Sequence, residues 1–237
     1  MEDPARSKAL ARIEEIATGS TGAERLTSIF KAVLATAPFT GGIASLISDQ
    51  IASRRQRRLE EFALNTAEDL KRLAASVNAE YVRTDDFAFL FEQCFKGAAE
   101  HPQREKLNAF RGVLVNAAIR TDVDEAEKEY FLNLVGTLSV LHMKTLRFMA
   151  EPRRFLADAG IPEAKIQGGF AQMLPTAIPG AHLEVIKAAF GDLYQGGLIS
   201  TDKNIFATMT SAQGLHLLGN RVTDLGRRFI DFCLVPR

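Results

Sequence analysis

Along most of the chain apolar residues recur at intervals of three and four, and strand-like runs are confined to the C-terminal part. The pattern predicts an all-helical body. A first helix is expected over residues 4–17, with Pro4 at the tolerated first-turn position, ending at Gly19-Ser20-Thr21-Gly22. A second is expected over residues 23–37, closed ahead of Pro38. From Gly42 to Val77 there is no proline and no internal glycine. Over that stretch Ile43, Ile47, Ile51, Leu59, Phe62, Thr66, Leu70, Leu73 and Val77 keep a spacing near that of a heptad stripe. This predicts one long central helix or two nearly collinear ones. If continuous, it would measure about 50 Å at 1.5 Å per residue, a spine or the start of an oligomer contact.

Thr84-Asp85-Asp86 reads as an N-cap followed by first-turn acids. It opens a helix whose Phe87, Leu90, Phe91, Cys94, Phe95 and Ala98 fall on one face that must be buried. Residues 103–120 repeat the pattern with Leu107, Phe110, Leu114, Ala117 and Ala118. Asp124, with Glu127 three positions on, then starts a helix with a stripe of Phe131, Leu134, Val135 and Leu138.

A boundary at Thr137-Leu138-Ser139 divides the chain into a helical domain, residues 1–138, and a second domain, residues 139–237. In the second, Ser139 caps a helix to Ala150, Pro152 interrupts, and a helix covers residues 162–174. Pro175, Pro179 and Gly180 make a turn, and a third helix spans residues 182–195, closed by Gly196-Gly197. Leu198-Ile199 and residues 205–209 have strand character, residues 211–219 are loop-like, and Val222 leads into a Thr223-capped final helix. Three helices, a small β-hairpin with a loose tip and a closing helix are the order of a winged helix-turn-helix. The expected fold is therefore mainly α: a multi-helical body with a long central helix, then a winged-helix-like C-terminal domain.

Charge then bears on use. The 237 residues carry 29 basic and 29 acidic side chains, with 46% hydrophobic content, enough for a buried core. The balance holds locally, so no region is a polycation of the kind that grips phosphate backbones. The presumed recognition helix carries Glu184, Lys187 and Asp192 as its formal charges, poor equipment for reading base edges. Lys187, Lys203, Arg221, Arg227 and Arg228 are the candidates for nucleic-acid contact, or else a solvated face. Arg54, Arg55, Arg57 and Arg58 are followed by Glu60 and Glu61, with Arg57 and Glu61 at helical spacing. They form either a salt-bridged exposed turn or a contact for an anion or a lipid surface. Residues 32–48 contain no charged side chain but are broken by Pro38 and Gly41-Gly42, too short to span a bilayer as a helix. They read as a packed helical turn, or as a hairpin that inserts into membrane when triggered.

Catalysis finds no candidate residues, and no cofactor is expected. His101, His142, His182 and His216 lie far apart with no partner at metal-ligand spacing, so no metal site is expected either. The glycines near Ser20 and at Gly41-Gly42 lack the lysine of a phosphate loop. Cys94 and Cys233 are expected as reduced core residues, and Met1-Glu2-Asp3-Pro4 lacks the order of a signal peptide, which points to the cytoplasm.

Two stretches carry a resemblance. Val222-Thr223-Asp224-Leu225-Gly226-Arg227-Arg228-Phe229 resembles the ending of many bacterial winged-helix domains. Residues 37–62, with Pro38, Gly41-Gly42 and Arg54-Arg55-Gln56-Arg57-Arg58-Leu59, resemble a group of uncharacterised bacterial helical proteins, as do Glu127-Lys128-Glu129-Tyr130-Phe131 and Leu138-Ser139-Val140-Leu141-His142. That group is distantly similar to the abortive-infection alpha proteins associated with phage defence. The charge-poor third helix, the long spine and the lack of a catalytic constellation lead to a non-enzymatic accessory protein acting through protein contacts and self-association as a homo-oligomer; the link to phage defence is implied by the resemblance alone. A DNA-binding regulator and a membrane-active effector are the alternatives.

Overall fold

A computed structural model describes residues 48–207, Leu215 and residues 218–234. The helices expected over residues 4–17 and 23–37, the charge-free run up to Ile47, His216 and the expected hairpin tip at residues 208–214 lie outside them. Among the described residues the chain is mainly helical, with nine α-helices. It divides into two compact units: Met1–Gly136 with Phe232–Arg237, and Thr137–Asp231. The sequence boundary after Leu138 falls two residues later than this division, and the last six residues group with the first unit.

In the first unit α1 (Ser48–Arg72) buries Leu59, Phe62, Ala63, Thr66, Ala67 and Leu70. It stops short of the expected Val77. Beyond Arg72 the chain tightens into a 3-10 turn, Ala74–Ser76, and the Asn78 side chain accepts hydrogen bonds from the backbone N–H of Glu80 and Tyr81. These bonds fix the backbone of residues 78–81 in a turn, where apolar spacing alone would continue a helix. Helix α2 (Asp85–Glu100) begins at Thr84, whose Oγ1 accepts from Phe87 N at 3.2 Å, and its expected apolar face is buried. Phe62 meets Phe95 edge-on at 5.0 Å, and Phe91 stacks on Phe95 at 4.5 Å. Helix α3 (Arg104–Ile119) packs against α2 where Gly97 leaves space for the Phe110 ring. Helix α4 (Glu125–Thr137) starts with Asp124 Oδ1 accepting from Glu127 N at 2.8 Å.

Three side chains of this unit reach the carbonyl end of another helix. Arg58 Nη2 donates to Ala99 O at 3.0 Å. Lys106 Nζ donates to Val135 O and Gly136 O at 2.8 and 2.7 Å. Asn116 Nδ2 donates to Phe232 O and Leu234 O at 2.9 and 2.8 Å. The last contact is close because Gly112, one turn earlier, has no side chain: a Cβ there would lie 2.0 Å from Cys233 O.

In the second unit α5 (Val140–Ala150) is capped by Ser139, and Pro152 opens a separate short helix, α6 (Pro152–Asp158), at its first position. The helix expected over residues 162–174 is instead a 3-10 turn, Glu163–Lys165, followed by α7 (Phe170–Ala177) with Pro175 inside it. Gly168 at φ +81° separates the two, which explains the displaced start. Helix α8 (Leu183–Gln195) ends in a Schellman motif. Gly197 takes φ +69°, Gly197 N donates to Tyr194 O and Leu198 N to Leu193 O. Phe170, Phe190 and Phe206 form a triangle of edge-on rings 5.7, 5.9 and 5.1 Å apart.

The expected β-hairpin is not formed among the described residues, where no strand occurs. Its arms meet in a single antiparallel bridge, Ile199 with Val222, flanked by Ser200 N donating to Arg221 O and Thr223 N to Leu198 O. Lys203–Ala207, expected as strand from residue 205, is a 3-10 helix because Phe206 turns inward onto Phe170 and Phe190. The final helix, α9 (Asp224–Cys233), is capped by Thr223 Oγ1, which accepts from Gly226 N at 3.0 Å and donates to Gly197 O at 2.7 Å.

Gly112→Ala tests the close approach at the C-terminal carbonyls. Alanine gains helix propensity over glycine by about 1 kcal/mol, yet its methyl would collide with the Cys233 carbonyl. A net loss of about 1–3 kcal/mol is expected in urea unfolding, and a stabilised variant would show that the contact does not constrain α3.

Candidate docking face

Helix α8 buries Ile186, Ala189, Phe190 and Leu193 against α5, α7 and the Lys203–Ala207 turn. Its solvent side follows from the same period: Glu184, Val185, Ala188, Asp192 and Gln195 are exposed, with Tyr194 beside them. Val185 keeps 55% of its surface and Tyr194 39%, two of the four large apolar side chains that are exposed among the described residues. The helix's one lysine does not offset the acids. Lys187 Nζ lies 2.8 Å from Glu184 Oε1, so the face presents apolar surface, a neutralised pair and the Asp192 carboxylate.

Behind the face runs a line of hydrogen bonds. Asp192 Oδ2 is 3.1 Å from His142 Nε2. On the other side of that ring, Nδ1 accepts from Ser139 N at 3.1 Å and lies 2.7 Å from Ser139 Oγ. The residues assemble because Ser139 and His142 occupy the cap and third positions of α5, a capping box with histidine in the place usual for Glu or Gln. The packing of α8 on α5 brings in Asp192.

The side chains expected to touch nucleic acid fall in different roles. Lys187 is paired as described, Lys203 is exposed on its 3-10 turn, and Arg227 and Arg228 are exposed on α9. Arg221 has a structural place: Nη1 donates to Thr201 Oγ1 at 3.0 Å, its guanidinium sits 5.5 Å from the Phe170 ring centre, and its carbonyl accepts from Ser200. In the first unit Arg54 and Arg57 are exposed on α1 and Arg55 is half-buried, while Arg58 reaches the Ala99 carbonyl. The four arginines therefore do not form one uniform basic surface.

Elsewhere burial shifts a few ionisable groups toward their neutral forms. Burial pushes the Cys94 and Cys233 thiols up, the second also because Cys94 lies near it, which leaves no thiolate nucleophile. Burial and the Glu125 carboxylate, which accepts the Tyr81 hydroxyl at 2.6 Å, push that phenol up. Lys128 Nζ bonds the same carboxylate at 2.7 Å and sits 3.8 Å over the Tyr81 ring. Among the described residues no three His, Cys, Asp or Glu side chains converge as a metal site would require, and no helix is long and apolar enough to cross a membrane.

No known family model matches the chain, and no curated protein or solved structure does.

The sequence pattern drew attention to α8 and gave no sign that His142 packs against it. Ser139 and His142 at cap spacing were visible; the third member stands fifty positions away, and only the helix packing supplies it. Because Arg221 is part of the unit's framework, Arg221→Ala is expected to lower stability by about 1 kcal/mol, measured by thermal unfolding. An unchanged melting curve together with a lost ligand would instead make it a binding residue.

Proposed function

We propose that this chain is a non-enzymatic accessory protein that works through protein contacts and self-association, with the solvent side of α8 as its docking face. The observation that supports this is the composition of that face: Val185 and Tyr194 exposed, Glu184 holding Lys187, and Asp192 as the remaining charge. A surface meant for duplex DNA needs unneutralised cations toward phosphate and amide or guanidinium groups toward base edges. Apolar and aromatic side chains with few charges suit the centre of a protein interface. The helix order from α5 to α9 suits a winged-helix-like module used for protein contact, and the likeness to abortive-infection alpha proteins suits a role in phage defence.

Sedimentation of the full chain at micromolar concentration tests the proposal. It should report an oligomer, and Val185→Asp should weaken association by about tenfold or more, as loss of a central apolar anchor does. A monomer at every concentration, with Val185→Asp recovering the same companions from native cells as the unaltered chain, would refute it. Duplex DNA at low salt should give no complex; saturable binding weakened by Arg227→Glu would favour the regulator reading instead.

A further inference from the structure

A backbone N–H donates and never accepts, so the 3.1 Å contact of Ser139 N with His142 Nδ1 fixes the tautomer of the ring. The lone pair is on Nδ1 and the hydrogen on Nε2, where Asp192 Oδ2 accepts it at 3.1 Å. Ser139 Oγ lies 2.7 Å from the same Nδ1, and Ser139 is exposed, while the His142 side chain keeps 15% of its surface. A hydroxyl, a base within hydrogen-bond reach and a carboxylate orienting that base are the three roles of an activated serine, here with the two ring nitrogens exchanged. All three residues belong to the second unit.

We propose that Ser139 is a base-activated acyl acceptor, able to take a small acyl group from an activated ester or thioester. In the step, Ser139 Oγ attacks the acyl carbonyl carbon and its proton passes to His142 Nδ1, which gives up its contact with Ser139 N as it becomes a donor. Asp192 holds the resulting imidazolium through Nε2. The tetrahedral adduct collapses by breaking the bond to the leaving alcohol or thiol, which departs with the proton from Nδ1. One ester bond forms, one ester or thioester bond breaks, and nothing is oxidised or reduced. Ser139 and His142 are the reacting groups and Asp192 is a positioning residue. Because Ser139 stands at the surface, a donor reaches it without entering a cleft, which makes covalent modification the expected outcome.

The rival account is that Ser139 and His142 are a helix cap and nothing more. His142→Gln separates the two, since glutamine is an ordinary capping-box residue that still accepts from Ser139 N but is no base. With p-nitrophenyl acetate as the probe, intact-mass and peptide analysis should place one acetyl group on Ser139 of the full chain. Ser139→Ala should lose that label, His142→Gln should slow it at least about tenfold with an unchanged melting temperature, and Asp192→Asn should slow it less. The pH profile of the labelling rate should differ between the unaltered protein and His142→Gln, which a cap alone would not cause. Acetylation of Ser139 no faster than that of other surface serines, or an equal rate in His142→Gln, would reduce the network to a cap and overturn the proposal.

Discussion

Each α-helix ends with carbonyl oxygens that have no partner in their own helix, and how three such ends are met organises the first unit. Arg58 reaches from α1 to serve α2, and Lys106 and Asn116 reach from the two ends of α3 to serve α4 and α9. A buried polar group left unbonded costs about 1–3 kcal/mol, comparable with one well-buried apolar side chain. Each of these contacts therefore weighs about as much as one buried apolar side chain. Lys106 is the clearest case: only 5% of it is exposed, burial pushes its ammonium down from the ordinary lysine range, and two carbonyls at the negative end of α4 hold it there.

Of the basic residues offered as phosphate or lipid contacts, Arg58 turns to the Ala99 carbonyl and Arg221 to Thr201 and Phe170; Lys106 and Lys128 are likewise committed, to the Val135 and Gly136 carbonyls and to Glu125 and Tyr81. The net charge is zero overall. The outer side of α8 exposes Val185 and Tyr194, and in the same unit Ser139, His142 and Asp192 share a line of hydrogen bonds.

Much of the fold was legible because it rests on local rules. Thr84, Asp124, Ser139 and Thr223 each cap the helix that their position announces, and the buried face of α2 follows the apolar period, whereas α3 is buried all round from Gly112 to Ala118. What was not legible depends on partners distant in sequence. α1 stops at Arg72, before the expected Val77, and a 3-10 turn and an Asn78-bonded turn follow it. Phe206 draws residues 203–207 into a 3-10 helix that β-propensity would make a strand. Arg58 looked like part of an exposed basic run until Ala99 was seen beside it, and Asp192 gained a role only when α8 packed on α5.

Equilibrium unfolding of Lys106→Met tests the central claim most directly, since methionine keeps the length and apolar stem of lysine while leaving the Val135 and Gly136 carbonyls without their donor. The account predicts a loss of roughly 1.5–3 kcal/mol, the range for hydrogen bonds from a charged group. An unchanged or raised stability would contradict it, showing that the apolar core alone fixes the helix ends.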